Sequence, residues 1–168
     1  DIYGEGVMIT GDSGVGKSEA AIELIMRGHR LVADDAVELR RISGQLTGSA
    51  PEVIQNYIEL RGIGVIDVRQ LFGVRAIKNE AQLDLVVHFE PWDSTKFYDR
   101  LGIEDHFTEI LEVPVPIVTI PVRPGRNLAS IVEVAAMNNR HRKVGYNAAE
   151  ELARRVDRRA DLGSGKLD

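Results

Sequence analysis

The octapeptide Gly11-Asp12-Ser13-Gly14-Val15-Gly16-Lys17-Ser18 constrains this chain more than any other stretch. It stands between an apolar run, Val7-Met8-Ile9-Thr10, and a helical pattern, Glu19-Ala20-Ala21-Ile22-Glu23-Leu24. Strand, glycine loop and helix in that order make a phosphate-binding loop. A polyphosphate is densely negative, and a bent loop whose backbone N–H groups converge at a helix N-terminus holds it directly. Gly11, Gly14 and Gly16 permit the bend, Lys17 supplies a mobile cation for β and γ phosphates, and the Ser18 hydroxyl suits the Mg²⁺ that travels with ATP. A glycine turn that merely caps a helix would not require Lys-Ser directly after its last glycine.

The rest of the composition narrows the class. With 168 residues, 43% of them hydrophobic, the chain is expected to form one domain, a central sheet with helices against it. A net charge of −5 argues against a general nucleic-acid binder, because phosphate backbones are held mainly by excess Lys and Arg. Without cysteine there is neither a disulfide framework nor a thiolate metal site. The apolar runs fall short of the ~20 residues of a membrane span, and the start lacks a signal-peptide layout, so a cytoplasmic enzyme is expected. Starting at Asp1 shortly before the first strand, the chain is expected to be a domain of a longer protein.

Along the chain, Ser18 to Arg27 has helical spacing, with Gly28 as its stop, and Arg30 to Asp35 reads as a short strand ending in two carboxylates. Ala36 to Arg40 alternates like a strand, and Ser43-Gly44-Gln45 is a turn. Adjacent acids can be a solvated turn; at a strand end close behind a phosphate loop they are also where α/β sheets place ligands. In Ile58 to Val68, Gly62 and Gly64 interrupt a strand-like run, as a bulge or a close backbone approach. Asp67 to Phe72 can make a short helix ended by Gly73, and Ala76-Ile77 begins another extended piece.

Leu83 to Glu90 is the clearest buried strand. His88 within it reads as a packed sheet residue, and Glu90 at its end rivals Asp34 and Asp35 as the metal acid. Arg100, in a loop or short helix, either clamps a phosphoryl group or pairs with an acid. The prolines in Ile110 to Pro121 suggest edge strands, and Pro121 to Asn127 is a rigid basic loop. Leu128 to Asn138 reads as a helix, Arg140 to Lys143 as a basic patch, and Asn147 as the cap of a last helix from Ala148 to about Arg159. That helix would dock its stripe of Ala149, Leu152, Ala153 and Val156 on the core, or turn Arg154, Arg155, Arg158 and Arg159 toward an acidic partner. Gly163 to Lys166 reads as a flexible tail.

Four segments together resemble the catalytic domain of bacterial HPr kinase/phosphorylase: the octapeptide, Gly28 to Asp35, Glu59 to Val68, and Pro121 to Asn127. The resemblance covers nearly the whole chain. It implies an α/β P-loop-containing domain with a central mixed β-sheet flanked by helices, similar to phosphoenolpyruvate carboxykinase-like kinases. It further implies an ATP-dependent serine kinase acting on HPr, the phosphocarrier of the sugar phosphotransferase system, in carbon catabolite repression. The same family removes that phosphate by phosphorolysis, with inorganic phosphate as acceptor and pyrophosphate as product, and works as a homohexamer.

By resemblance, nucleotide binding falls on Gly11, Asp12, Ser13, Gly14, Val15, Gly16, Lys17 and Ser18, with Lys17 catalytic and Ser18 and Glu59 on magnesium. The aspartate general base lies in the Asp34–Asp35 pair, with Asp35 preferred, and Arg100 is the catalytic arginine. The signature segment comprises Ile58, Glu59, Leu60, Arg61, Gly62, Ile63, Gly64, Val65, Ile66 and Asp67. The loop tied to dephosphorylation comprises Pro121, Val122, Arg123, Pro124, Gly125 and Arg126. A family histidine falls before Asp1, so reduced activity is expected without it. Rival readings are a small-molecule P-loop kinase or hydrolase using Glu90, and a non-catalytic nucleotide sensor.

Overall fold

The computed structural model describes residues 1–98, 100, 102 and 104–164. A six-stranded mixed sheet runs through it, formed by β1 (Gly6–Thr10), β2 (Glu38–Ile42), β3 (Gln45–Ser49), β6 (Glu80–Pro91), β7 (Phe107–Ile110) and β8 (Val113–Val122). A separate hairpin joins β4 (Tyr57–Leu60) to β5 (Gly64–Asp67). The helices are α1 (Lys17–Met26), α2 (Val68–Phe72), α3 (Leu128–Lys143) and α4 (Ala148–Ser164). The main path of the sheet is β2-β3-β6-β8-β7, and β1 also lies on β6. Both β1 and β8 run parallel to β6, which brings their carboxyl ends and the loops that follow to one edge.

The apolar run in β6 is continuous because both of its faces are covered. Leu85, Val87 and Phe89 meet Ala20 and Leu24 of α1 and Ala129, Val132 and Ala136 of α3. Val86 turns the other way, onto Leu46 and Val115. Each of these fully buried large side chains contributes about 1.5–3 kcal/mol.

The structure revises several expectations. Arg30 to Asp35 is not a ladder strand: only Leu31 bridges, to Ile77, and the segment then bends at the two aspartates. The strand expected at Ala36 to Arg40 begins two residues later, and β3 follows the Ser43-Gly44 turn to pair with it.

The proline-rich strand β8 is internal rather than an edge. It changes partner along its length, pairing β7 over Val113–Pro116 and β6 over Ile117–Val122. Ile117 N–H donates to the His106 carbonyl on the β7 side. By alternation, Pro114 and Pro116 put their missing donors on the side where pairing with β6 has not yet begun, and Pro121 puts its own where β7 has ended.

The last two helices also differ. α3 runs five residues beyond Asn138, so Arg140 to Lys143 form its basic last turn, which suits the helix dipole. In α4, Asn147 caps as expected, accepting from Ala149 N–H at 3.0 Å. The helix continues through Gly163 and Ser164, whereas Gly165 and Lys166 lie outside the described residues. Its stripe does not dock on the core, since Leu152 and Val156 are exposed. Arg154 and Arg155 pair with Glu150 and Glu151 on the same helix, so part of the expected basic surface is neutralised locally.

α1 is tied to α3 through one carboxylate. Glu133 of α3 accepts from Tyr3 Oη at 3.1 Å, pairs with Arg27 at the end of α1, and meets Nε2 of the buried His29 at 3.0 Å. These partners, His29 first, hold the Glu133 carboxyl below its ordinary value, against the opposing effect of burial. A depressed folded pKa gives stability that is present above the unfolded value and lost as pH falls through the folded one. Glu133→Gln is therefore expected to melt below wild type at about pH 7, with the deficit shrinking at about pH 3. Melting curves at both pH values check this, and an equal deficit at both would contradict it.

Candidate active site

The loop after β1 lies against β6. Thr10 Oγ1 and His88 Nδ1 are 2.9 Å apart, so His88 is engaged within the sheet. At Gly11, φ is +150° and an added Cβ would lie 2.6 Å from the Phe89 carbonyl oxygen, a contact no side chain tolerates. Gly14, at φ +86°, has the guanidinium nitrogens of Arg61 3.2 Å from where its Cβ would stand. Lys17 Nζ folds back to donate to the carbonyls of Gly11 at 2.5 Å and Asp12 at 3.0 Å. Its charge thus sits with the loop, where a polyphosphate would compete for it.

Asp34 joins this loop to the hairpin. Its Oδ1 accepts from the Ser18 hydroxyl at 3.2 Å, and its Oδ2 accepts from the backbone N–H of Glu59 at 3.0 Å. Burial, the largest influence, raises the Asp34 pKa; the Glu59 and Ser18 hydrogen bonds oppose this, while the charges of Asp35 and Glu59 reinforce it. Asp35, next in the chain, is exposed and has no hydrogen bond or ion pair among the described residues. A cavity of about 470 Å³ opens beside the loop, with Lys17, Ser18, Asp34 and Asp35 on a polar wall and Met8, Leu24, Ile25 and Leu31 on an apolar one.

The signature segment is a hairpin rather than a bulged strand. Arg61-Gly62-Ile63 forms its turn, with Gly62 at φ +86°, and a Cβ on Gly62 or Gly64 would meet nothing within 4 Å. The close approach expected there falls instead at Gly14, under Arg61, whose Nη2 also donates to Ser13 Oγ at 3.3 Å. What holds the hairpin is a small core beneath it: Ile58 and Val68, both fully buried, pack with Ile25 of α1, Leu31 and Ala76. β alternation then leaves Glu59 exposed on the opposite face from Ile58.

The other candidates make different contacts. Glu90 is paired with Lys96 at 2.9 Å. Arg100 is exposed, and no hydrogen bond or ion pair joins it to the phosphate loop among the described residues; its neighbours Asp99 and Leu101 lie outside them. The Pro121–Arg126 loop is closed by Arg126 Nη1 donating to the Pro121 carbonyl at 2.9 Å. It leads directly into Leu128, whose Cδ1 lies 3.8 Å from a Cβ built on Gly16, so this loop flanks the phosphate loop.

Asp34 draws the Ser18 hydroxyl and the Glu59 backbone to one carboxylate, and the side chains of Ser18, Asp34 and Glu59 offer hard oxygens of the kind that Mg²⁺ takes. Among the described residues there is no group of three or more His, Cys, Asp or Glu that could hold a metal. Mg²⁺ takes few protein carboxylates and completes its shell with phosphates and water. No helix among the described residues is long and apolar enough to cross a membrane.

The sheet, the glycine loop and its Lys-Ser end define a P-loop-containing domain of the kinase type. The chain belongs to the family described as HPr Serine kinase C-terminal domain, whose model matches residues 1–156. It is 59% identical over 157 residues to the HPr kinase/phosphorylase of Caldanaerobacter subterraneus subsp. tengcongensis, covering 93% of this chain and 52% of that protein. It is 57% identical over 166 residues to the HPr kinase/phosphorylase of Caldicellulosiruptor bescii, covering 98% of this chain and 53% of that protein. The chain thus spans about half the length of the curated relatives it matches. Among solved structures, the Hpr(Ser) kinase/phosphatase from Coxiella burnetii superposes with a TM-score of 0.81 at 38% identity, covering 90% of this chain and 92% of that one.

Two contacts at this site were not legible in the sequence: Arg61 on Ser13, and Asp34 on the Glu59 backbone. Both depend on the core under the hairpin. Ile58→Ala is expected to destabilise the protein by about 2–4 kcal/mol in urea unfolding, whereas Ile63→Ala, on the exposed turn, should stay within about 0.5 kcal/mol. Equal effects would show that the hairpin is not anchored through Ile58.

Proposed function

We propose that residues 1–168 act as the catalytic domain of a bifunctional HPr kinase/phosphorylase. It would be a cytoplasmic protein that assembles as a homohexamer, as the family resemblance implies. The observation that carries the reading is Asp34, which couples the Ser18 end of the phosphate loop to Glu59 of the signature hairpin and leaves Asp35 unengaged beside them.

In the forward direction the backbone N–H groups of Gly11 to Lys17 hold the phosphates of ATP, and Lys17 leaves the loop carbonyls for the transferring oxygens. Ser18 and Glu59 would hold Mg²⁺, with Asp34 orienting them, and the metal would supply neutralisation of phosphate charge. Asp35 accepts the proton of the HPr serine hydroxyl as that oxygen bonds to the γ phosphorus and the bond to the ADP oxygen breaks. Both oxygens of Asp34 already accept hydrogen bonds, which is why the base is assigned to Asp35. Arg100 steadies the transferred group.

In the reverse direction inorganic phosphate sits in the loop and attacks phosphoserine. A phosphoanhydride forms, the serine oxygen departs, and protonated Asp35 returns its proton to that oxygen. The flanking Pro121–Arg126 loop serves this direction.

The test follows label from γ-labelled ATP onto a serine of HPr with Mg²⁺, then into pyrophosphate after inorganic phosphate is added. Both transfers are expected. Asp35→Asn should lower both rates by about 10²- to 10⁴-fold, whereas Asp34→Asn should chiefly raise the Mg²⁺ concentration required. Full activity in both variants would contradict the assignment. ATP binding with no label on HPr, in protein that includes the family's upstream histidine, would contradict the kinase reading itself.

A further inference from the structure

Where β6 and β8 reach the edge that carries the phosphate loop, Arg123, Trp92 and Tyr98 form a stack that the steps above do not use. The guanidinium carbon of Arg123 lies 3.8 Å from the centroid of the Trp92 ring. Trp92 is in turn stacked with Tyr98, the ring centroids 4.9 Å apart and the planes inclined by 27°. Backbone bonds fix the group. Trp92 N–H donates to the Val122 carbonyl at 3.2 Å, one step beyond the last paired residues of β6 and β8, and Asp93 N–H donates to Tyr98 Oη at 3.0 Å.

Arg123 differs here from the other arginine of its loop. Arg126 is spent on the Pro121 carbonyl, whereas among the described residues Arg123 has no carboxylate partner and its guanidinium makes no hydrogen bond. Its guanidinium carbon lies over the indole and the residue is exposed, so its N–H donors remain accessible to a ligand. A guanidinium in this state is oriented and still uncompensated, which is the condition for bidentate capture of a phosphate oxygen pair. The loop that carries it leads into Leu128, whose Cδ1 lies 3.8 Å from a Cβ built on Gly16, so Arg123 belongs to a loop that flanks the phosphate loop.

We propose that Arg123 binds the inorganic phosphate that enters, or the pyrophosphate that leaves, in phosphorolysis, and that Trp92 is a positioning residue that holds Arg123 ready for it. This deepens the proposed function and rests on it. The stack is oriented through the indole face, so an aromatic ring at position 92 should preserve it and an aliphatic side chain should not.

The experiment measures phosphorolysis of serine-phosphorylated HPr by the purified protein against inorganic phosphate concentration. Trp92→Leu is expected to raise the KM for phosphate about fivefold to tenfold while kcat changes less than about twofold, and Trp92→Phe should recover most of the loss. Arg123→Met should raise the same KM, and adding Trp92→Leu to it should cost nothing further. A loss that is the same for phosphate and for ATP in the kinase direction, or that is additive in the double variant, would overturn the proposal and leave a packing role. If Trp92→Leu melts well below wild type, Arg123→Met, on an exposed loop, carries the comparison.

Calorimetric titration with pyrophosphate gives a readout independent of HPr, with about fivefold weaker binding expected in Arg123→Met. Wild-type protein that releases no pyrophosphate would defeat the functional reading. Unchanged pyrophosphate affinity together with an unchanged KM for phosphate in Arg123→Met would defeat this proposal alone.

Discussion

The two oxygens of Asp34 serve two different elements, and the arrangement of the site depends on that division. One accepts from the hydroxyl that ends the phosphate loop, the other from the backbone of the signature hairpin. In sequence Asp34 stands 16 residues from Ser18 and 25 from Glu59. Arg61 on Ser13 adds a second tie between the hairpin and the loop. A partly buried carboxylate stays where two donors compensate its desolvation, and here that cost is visible as a raised pKa that the two hydrogen bonds only oppose.

The scaffold makes the bridge possible. β6 is buried on both faces and orders its parallel neighbours β1 and β8 so that the phosphate loop and the Pro121–Arg126 loop leave from the same edge. A second, smaller core under the hairpin presses Ile58 and Val68 onto the back of α1, the helix that begins at the phosphate loop. One helix therefore references both halves of the site. Under the proposed function, a single set of groups would then face a nucleotide in one direction and inorganic phosphate in the other.

Much of this was legible in the sequence, because local patterns carried it. The glycine loop, the buried run of β6, the Asn147 cap and the Gly73 stop each announce themselves within a few residues. What escaped depended on distant partners. The prolines of β8 suggested an edge, since a change of pairing partner partway along a strand leaves no local mark. Arg30 to Asp35 has strand composition, yet it bends to deliver Asp34 between Ser18 and Glu59, so the site overrode propensity. The glycines at 62 and 64 signalled an irregular backbone without saying that it was a hairpin turn, or that the crowded glycine would be Gly14. In α4 the apolar spacing was plain, but spacing does not say whether a stripe finds a surface to cover it.

The rival acid gives the sharpest test of the Asp34-centred site. Glu90 closes the central strand and lies in the ion pair with Lys96, whereas Glu59 is the residue whose backbone Asp34 holds. The measurement is Mn²⁺ affinity by electron paramagnetic resonance, in the presence of a non-hydrolysable ATP analogue, for Glu59→Gln and Glu90→Gln. Loss of about tenfold or more in Glu59→Gln with Glu90→Gln near wild type is the expected result. The reverse order would place the metal at the end of β6 and contradict the bridge as the organising contact of the site.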